Sequence, residues 1–374
     1  MCASTGFGVA LVGQEPDLDG TAVVGDMITV AVEELLWTYH PLDPSWAVMP
    51  LKNNDEQLDQ ADVFVQTNII GSKKAKHQAA YRYIVYSGKP WVVSESAVFR
   101  KNQPVPPHPD AYHRYSWFSY FQDEGEYCNS NSPSDRWNQV QSDQGIDVKP
   151  WRHSGDYVLL ILQKPYDSSL TRLMSKHGSY TAFISDTLSN IQQHTDRKIR
   201  IRLHPLRQKE QLDAIRDSAV DFDQIEISDN LSGATGLEGG AGLYRDFAGA
   251  AAVIGFNSNA LTESACEGVP TYSLCSSSMA WPVNAGSLDQ LENPNLRIDR
   301  TQWLYDLAYC QWKESEVLSG AMWEHLRQAW PKIAQTRLER PDWADIEKEK
   351  QYMATLDKKQ LRKYLKNQKD PRLI

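Results

Sequence analysis

The apolar positions of this chain fall into two sets of short runs separated by amphipathic stretches. Residues 7–12 form an apolar run closed by Gly13, which predicts a buried strand. Between Gly20 and Trp37, the apolar residues Val24, Met27, Ile28, Val30, Ala31, Leu35 and Leu36 recur at helical spacing and predict a helix. Residues 61–67 (ADVFVQT) and 91–94 (WVVS) predict further strands, and 74–83 predicts a short basic helix. Strands alternating with helices point to parallel βαβ units.

From 102 to 153 the periodicity weakens into an aromatic and then a polar stretch. A long irregular segment marks a functional loop or a linker, so a domain boundary is expected near residue 150. The pattern then restarts. Residues 157–162 (YVLLIL) predict a buried strand, 179–194 an amphipathic helix, 197–203 an alternating strand stopped at His204-Pro205, and 209–219 a helix. Residues 249–255 predict a strand, 259–268 a helix ended by Gly268 with Pro270 just beyond, and 271–274 the next strand. A single long helical segment is expected over 303–330, followed by a charged tail with a basic end. The expected organisation is a first domain over 1–150, a second over 151–330 and a helical tail over 331–374. A chain of 374 residues accommodates two domains.

Composition narrows the classes. The net charge of −9 argues against a dedicated nucleic-acid binder, although local basic patches remain compatible with it. The five cysteines, Cys2, Cys128, Cys266, Cys275 and Cys310, are scattered without metal-ligand spacing, which suits a reducing compartment. No metal site is expected. No apolar run approaches the ~20 residues of a membrane helix, and the N-terminus does not read as a secretion signal, so a cytoplasmic protein without membrane insertion is expected.

Three segments carry candidate chemistry, each where a predicted strand gives way to a loop of the second half. In VIGFNSNALTESACEGVP, Asn257, Ser258 and Asn259 lead into a helix that bears Glu263. Such a turn suits a diphosphate, with Glu263 placed to accept from ribose hydroxyls. The same residues equally read as a helix cap. In RIRLHPLR, His204 stands at the carboxyl end of a strand between Arg202 and Arg207, where ligands of open α/β sheets bind. In LQKPYD, Lys164 is placed to neutralise a diphosphate. Neither a Walker phosphate loop nor a GxGxxG fingerprint is present.

On these motifs the second half, over about 155–330, resembles GT-B glycosyltransferases, particularly the capsule-polysaccharide and phage-encoded group. Arg202-Leu203-His204-Pro205 matches an R-x-H-P strand end, and Glu263, Gly268 and Pro270 keep the spacing of an S-x-x-x-E-A-x-x-x-G-x-P-V motif. Asn259, Ser264 and Thr271 replace that motif's Ser, Ala and Val. The resemblance implies an α/β fold of two Rossmann-like doubly wound domains facing a central cleft, with a C-terminal crossover helix. It also implies a nucleotide-sugar co-substrate, UDP-linked, and metal-independent transfer without a further cofactor. Residues 307–326 resemble the ends of phage glycosyltransferases, some of which decorate hydroxymethylated pyrimidines in DNA.

An inverting transfer needs a base near the bond being broken. Glu95 and Asp19 are the candidates, each after a predicted strand of the first half. For an acceptor of 5-hydroxymethylcytosine DNA, Lys73, Lys74, Lys76, Arg82 and Arg100 supply phosphate contacts and Trp117, within YHRYSWFSYF, a stacking surface. A capsule or cell-envelope polysaccharide is the alternative acceptor, and a non-catalytic nucleotide- or sugar-binding protein is the alternative of another class.

Overall fold

The structure, a computed structural model, describes residues 9–14, 27–33, 47–50, 63–67, 90–104, 108–165, 167–218, 222–229 and 238–333. Among these residues the strands are β1 (Val9–Gln14), β2 (Met27–Glu33), β3 (Ala47–Pro50), β4 (Val63–Thr67), β5 (Trp91–Ser96), β6 (Tyr112–Trp117), β7 (Tyr157–Ile161), β8 (Lys198–Arg202), β9 (Ile225–Ile227), β10 (Ala250–Gly255), β11 (Thr271–Ser273) and β12 (Gln311–Lys313). The α-helices are α1 (Asp135–Gln144), α2 (Thr171–His177), α3 (Tyr180–His194), α4 (Gln208–Arg216), α5 (Glu238–Gly249), α6 (Ala260–Cys266), α7 (Thr301–Ala308), α8 (Glu314–Leu318) and α9 (Ala321–Leu326).

Five strands form a wholly parallel sheet in the order β11-β10-β7-β8-β9. Its centre is apolar on both faces, as helical crossovers require. Every residue of β7 and β10 is buried. Strand β8, next to the edge strand β9, alternates: Ile199 and Ile201 are buried, whereas Arg200 pairs with Glu226 at 2.5 Å and lies 3.7 Å over the Tyr157 ring. Helix α3 covers one face with Phe183, Ile184, Leu188 and Ile191, at helical spacing. Its start is fixed by Ser179, whose hydroxyl accepts from the Ala182 N–H at 3.0 Å. Four of these five strands fall where the sequence pattern predicts them, and β9 is an addition to that expectation.

The other sheet differs from expectation. It has seven strands in the order β12-β6-β5-β4-β2-β1-β3, and only the β2–β4 and β4–β5 pairings are parallel. The remaining pairings are antiparallel, so this sheet is mixed rather than doubly wound. Where a helix was expected between Gly20 and Trp37, residues 27–33 form β2, paired antiparallel to β1. The irregular stretch 102–153 contains strand β6 and helix α1. The expected basic helix at 74–83 lies outside the described residues.

The long helix expected over 303–330 is instead three short helices and a strand. The chain turns at Tyr309-Cys310, enters β12, and turns again at Gly320, whose φ of +85° lies in the left-handed region. Strand β12 extends the seven-stranded sheet by pairing with β6, Trp312 opposite His113. Helix α9 then packs on the same sheet, with the Trp323 and Trp117 rings 6.4 Å apart. Arg136 of α1 holds this return in place. Its buried guanidinium makes two 2.7 Å bonds to Glu316, donates to the Gln311 carbonyl at 2.6 Å and lies 3.7 Å from the Trp312 ring centre.

The two sheets are joined by a short strap, residues 97–100, which directly follows β5. From the seven-stranded sheet, Gln311 Oε1 accepts from the N–H groups of Val98 and Phe99 at 3.0 and 3.3 Å. From α6, Asn259 donates to the Ala97 carbonyl at 3.0 Å and Thr262 to the Val98 carbonyl at 3.3 Å. Glu263 accepts from the Arg100 N–H at 3.1 Å. Gly268, at φ +75°, ends the segment that starts with α6. A Cβ there would collide with the carbonyl of Pro150, so the linker between the sheets needs glycine at this point.

Candidate functional site

The parallel sheet reverses its strand order at β7. Strands β8 and β9 follow on one side, and β10 and β11 on the other. Ligands of open α/β sheets bind in the crevice outside the carboxyl ends at such a point. Here the floor is a network of amides. Gln163, two residues past β7, donates to Asn257 Oδ1 at 2.8 Å and accepts from the Asn257 N–H at 3.1 Å. The Asn257 amide nitrogen donates in turn to the Ser169 carbonyl at 2.9 Å and to Ser277 Oγ at 3.0 Å. Asn257 thus holds the loops after β7, β10 and β11 together; its own donors are committed.

Around this floor stand the ionisable groups. His204 follows β8. Its N–H donates to Gln211 Oε1 at 2.8 Å, and its Nδ1 accepts from the Leu206 N–H at 3.1 Å. That bond assigns the proton of the neutral ring to Nε2. Burial, together with the charges of Lys164 and Arg100, lowers the His204 pKa, so the ring is neutral at pH 7 with Nε2–H as donor. Lys164 pairs with Asp167 at 2.8 Å, and its side chain is about one-third exposed. Arg100, at the end of the strap, is exposed, and among the described residues its guanidinium makes no ion pair. Its charge is felt at His204 and at Glu263. A cation on the first sheet's strap thus lies near enough to the second sheet's imidazole for its charge to bear on it, as does that of Lys164.

The other expected site residues take different places. Arg202 is buried and bound at 2.6 Å to Asp246, which is fully buried. Arg207 sits at the surface at φ 60° and pairs with Glu210 at 2.7 Å. The Ser258 hydroxyl accepts from the Ala260 N–H at 3.3 Å, as a cap does. Asn259 serves the strap. Glu263 is buried, with Tyr244 donating to it at 3.3 Å and the Arg100 N–H at 3.1 Å; burial raises its pKa.

Glu95 lies on β5 just before the strap and opposite Arg114 of β6; one of its oxygens accepts from the Ser96 N–H at 2.7 Å. Arg114 in turn lies opposite Gln311, so a polar row crosses β5, β6 and β12. Trp117 offers no stacking surface. It is 1% exposed, and its indole N–H donates to the Leu326 carbonyl at 2.9 Å. Asp19, Lys73, Lys74, Lys76 and Arg82 lie outside the described residues. The sequence reading passed over Gln163, although it stands next to Lys164, and Tyr244, which only the fold brings to Glu263.

Against known proteins, no family model matches the chain, and no curated protein matches it. Among solved structures, it is similar to Thermosulfurimonas dismutans KpsC, a beta Kdo 2,4 transferase. The TM-score is 0.42 at 10% identity, over 70% of this chain and 87% of that one.

Proposed function

We propose that the chain is a glycosyltransferase that binds the diphosphate of a nucleotide sugar, UDP-linked, in the crevice outside β7, β8 and β10. The observation that carries this reading is the placement of Lys164 and His204 just past the carboxyl ends of β7 and β8, at the switch point of a parallel sheet, with Arg100 of the strap near enough for its charge to bear on His204. Two cations and a neutral donor suit two phosphates, and charge-assisted bonds there are strongest to the leaving group as negative charge develops on it. In this reading side chains stabilise the leaving diphosphate, and the two sheets form the two halves of a GT-B arrangement. The acceptor hydroxyl attacks the anomeric carbon, the bond from that carbon to the phosphate oxygen breaks, and the nucleoside diphosphate leaves. Glu95 is the base assigned to the acceptor proton.

The acceptor in this proposal is a carbohydrate hydroxyl, as in a capsule or cell-envelope polysaccharide. Trp117, the stacking surface expected for 5-hydroxymethylcytosine DNA, is buried. Calorimetry with UDP and UDP-sugars tests the donor site. Arg100→Ala and Lys164→Ala are each expected to weaken binding about tenfold or more, in line with the ~1.5–3 kcal/mol of a charged hydrogen bond. No binding of any nucleotide sugar sinks the reading. Mass spectrometry after incubation with oligosaccharide or 5-hydroxymethylcytosine DNA then separates the acceptors. Binding without turnover on either points to a non-catalytic binding protein.

A further inference from the structure

A second concave site shares no lining residue with the crevice. Helix α3, strand β11 and residues 281–289 enclose a cavity of about 620 Å3, within the range of small-molecule sites. Trp281 forms part of its wall and is 43% exposed, whereas Trp91, Trp117, Trp137, Trp303, Trp312 and Trp323 are each at most 7% exposed. An exposed indole beside a cavity offers a flat amphipathic face to a ligand. The backbone that carries the ring is also held in place. Trp281 opens a short 3-10 turn with Pro282 next to it, and Asn284 at the end of that turn accepts from the Ser273 N–H of β11 at 2.9 Å. Gly286, at φ +136°, turns the chain into a capping box in which Gln290 accepts from the Ser287 N–H at 3.3 Å. Among the described residues the indole N–H of Trp281 makes no hydrogen bond.

The polar lining sets the ligand class. Asn190 and His194 supply donors and acceptors, Asn284, Ser287 and Asp289 add polar groups bonded within the turn or to Ser273, and among the described residues no lysine or arginine lines the cavity. A phosphate or carboxylate would meet Asp289 without a cation to offset it. A neutral ring bearing hydroxyls finds hydrogen-bonding partners around its edge and a rigid amphipathic face to lie on. We infer that this cavity binds a neutral pyranose unit of a glycan, stacked on Trp281.

The test is fluorine NMR of the full chain labelled with 5-fluorotryptophan, with Trp281→Phe used to assign the resonance. The probes are maltohexaose, cellohexaose, isomaltohexaose and mannohexaose at millimolar concentration, with trigalacturonate and UDP as charged comparisons. At least one neutral hexaose is expected to shift the Trp281 signal saturably, and trigalacturonate to shift it less. Calorimetry with that hexaose is expected to show a tenfold or greater loss of affinity for Trp281→Ala. Asn190→Ala, at an exposed helix position, is expected to lose affinity severalfold, and it keeps the test open should Trp281→Ala fail to fold. The inference is overturned if no neutral hexaose moves the signal, if binding survives both substitutions, or if the charged probes shift it more. Intact UDP binding beside an unmoved Trp281 would overturn this inference alone and leave the donor site standing.

Discussion

Glu314 begins α8 with its side chain buried, and among the described residues its Oε1 has no hydrogen-bond partner. Burial pushes its pKa up to about 7. The folded chain keeps a proton that the unfolded chain releases near its ordinary value of 4.5. The stability this contributes is present below pH 4.5 and is lost as the pH rises through 7. Glu314→Gln, which cannot ionise, is therefore expected to exceed the native chain in stability at pH 8 by up to ~3 kcal/mol. Below pH 5 the difference closes, and urea unfolding at the two pH values checks both arms. Asp246, by contrast with Glu314, has partners for its buried carboxylate. It is fully buried, accepts from Ser228 at 2.9 Å and pairs with Arg202. Asp246→Ala leaves a buried guanidinium without its carboxylate and is expected to cost about 3–5 kcal/mol, read from the urea midpoint. The residue type was legible at Arg202; its use was not. An arginine at a strand end reads the same whether it faces a phosphate or a buried aspartate, and Asp246 lies far along the chain on α5.

At the scale of the element, Arg136 decides whether the chain's return to the seven-stranded sheet holds. It joins α1 to Glu316 and Gln311 through bonds that lysine's single ammonium cannot reproduce. Arg136→Lys is expected to raise amide exchange in β12 and α8 while β7 and β10 stay protected, as hydrogen-exchange mass spectrometry would show. A uniform rise across both sheets would contradict this role. Strands β7, β8, β10 and β11 were legible because they are short, rich in apolar or β-branched residues and bounded by glycine, proline or polar loops; the three-residue β9 was not. Strand β2 was not, because Met27, Ile28, Val30 and Ala31 satisfy a helical spacing as well as a strand. The β-branched content of MITVAVE was the signal that favours the strand. Over 303–330, spacing alone joined segments that Gly320 separates.

Across the whole molecule, the strap ties the sheets through bonds drawn from both sides. Removing the α6 side with Asn259→Ala and Thr262→Val, or the β12 side with Gln311→Ala, is expected to split one cooperative unfolding transition into two. Differential scanning calorimetry distinguishes this from a single transition moved to lower temperature, which would mean that the strap carries only local stability. The break in pattern near 150 falls between β6 and β7, which belong to different sheets, and could be read from the sequence. The strap could not, since its partners stand more than a hundred positions away in sequence.

The return of β12 also fixes an order of events during synthesis. The open edge of β6 is covered only when residues 311–313 have been made, and the entire five-stranded sheet is encoded between the two strands. At ribosomal rates of about 5–20 residues per second, that edge waits roughly 10–40 s for its neighbour. Throughout this interval the nascent chain carries an unpaired strand of the kind that recruits foreign strands. A holding chaperone that shields β6 until β12 emerges would raise the yield of native protein.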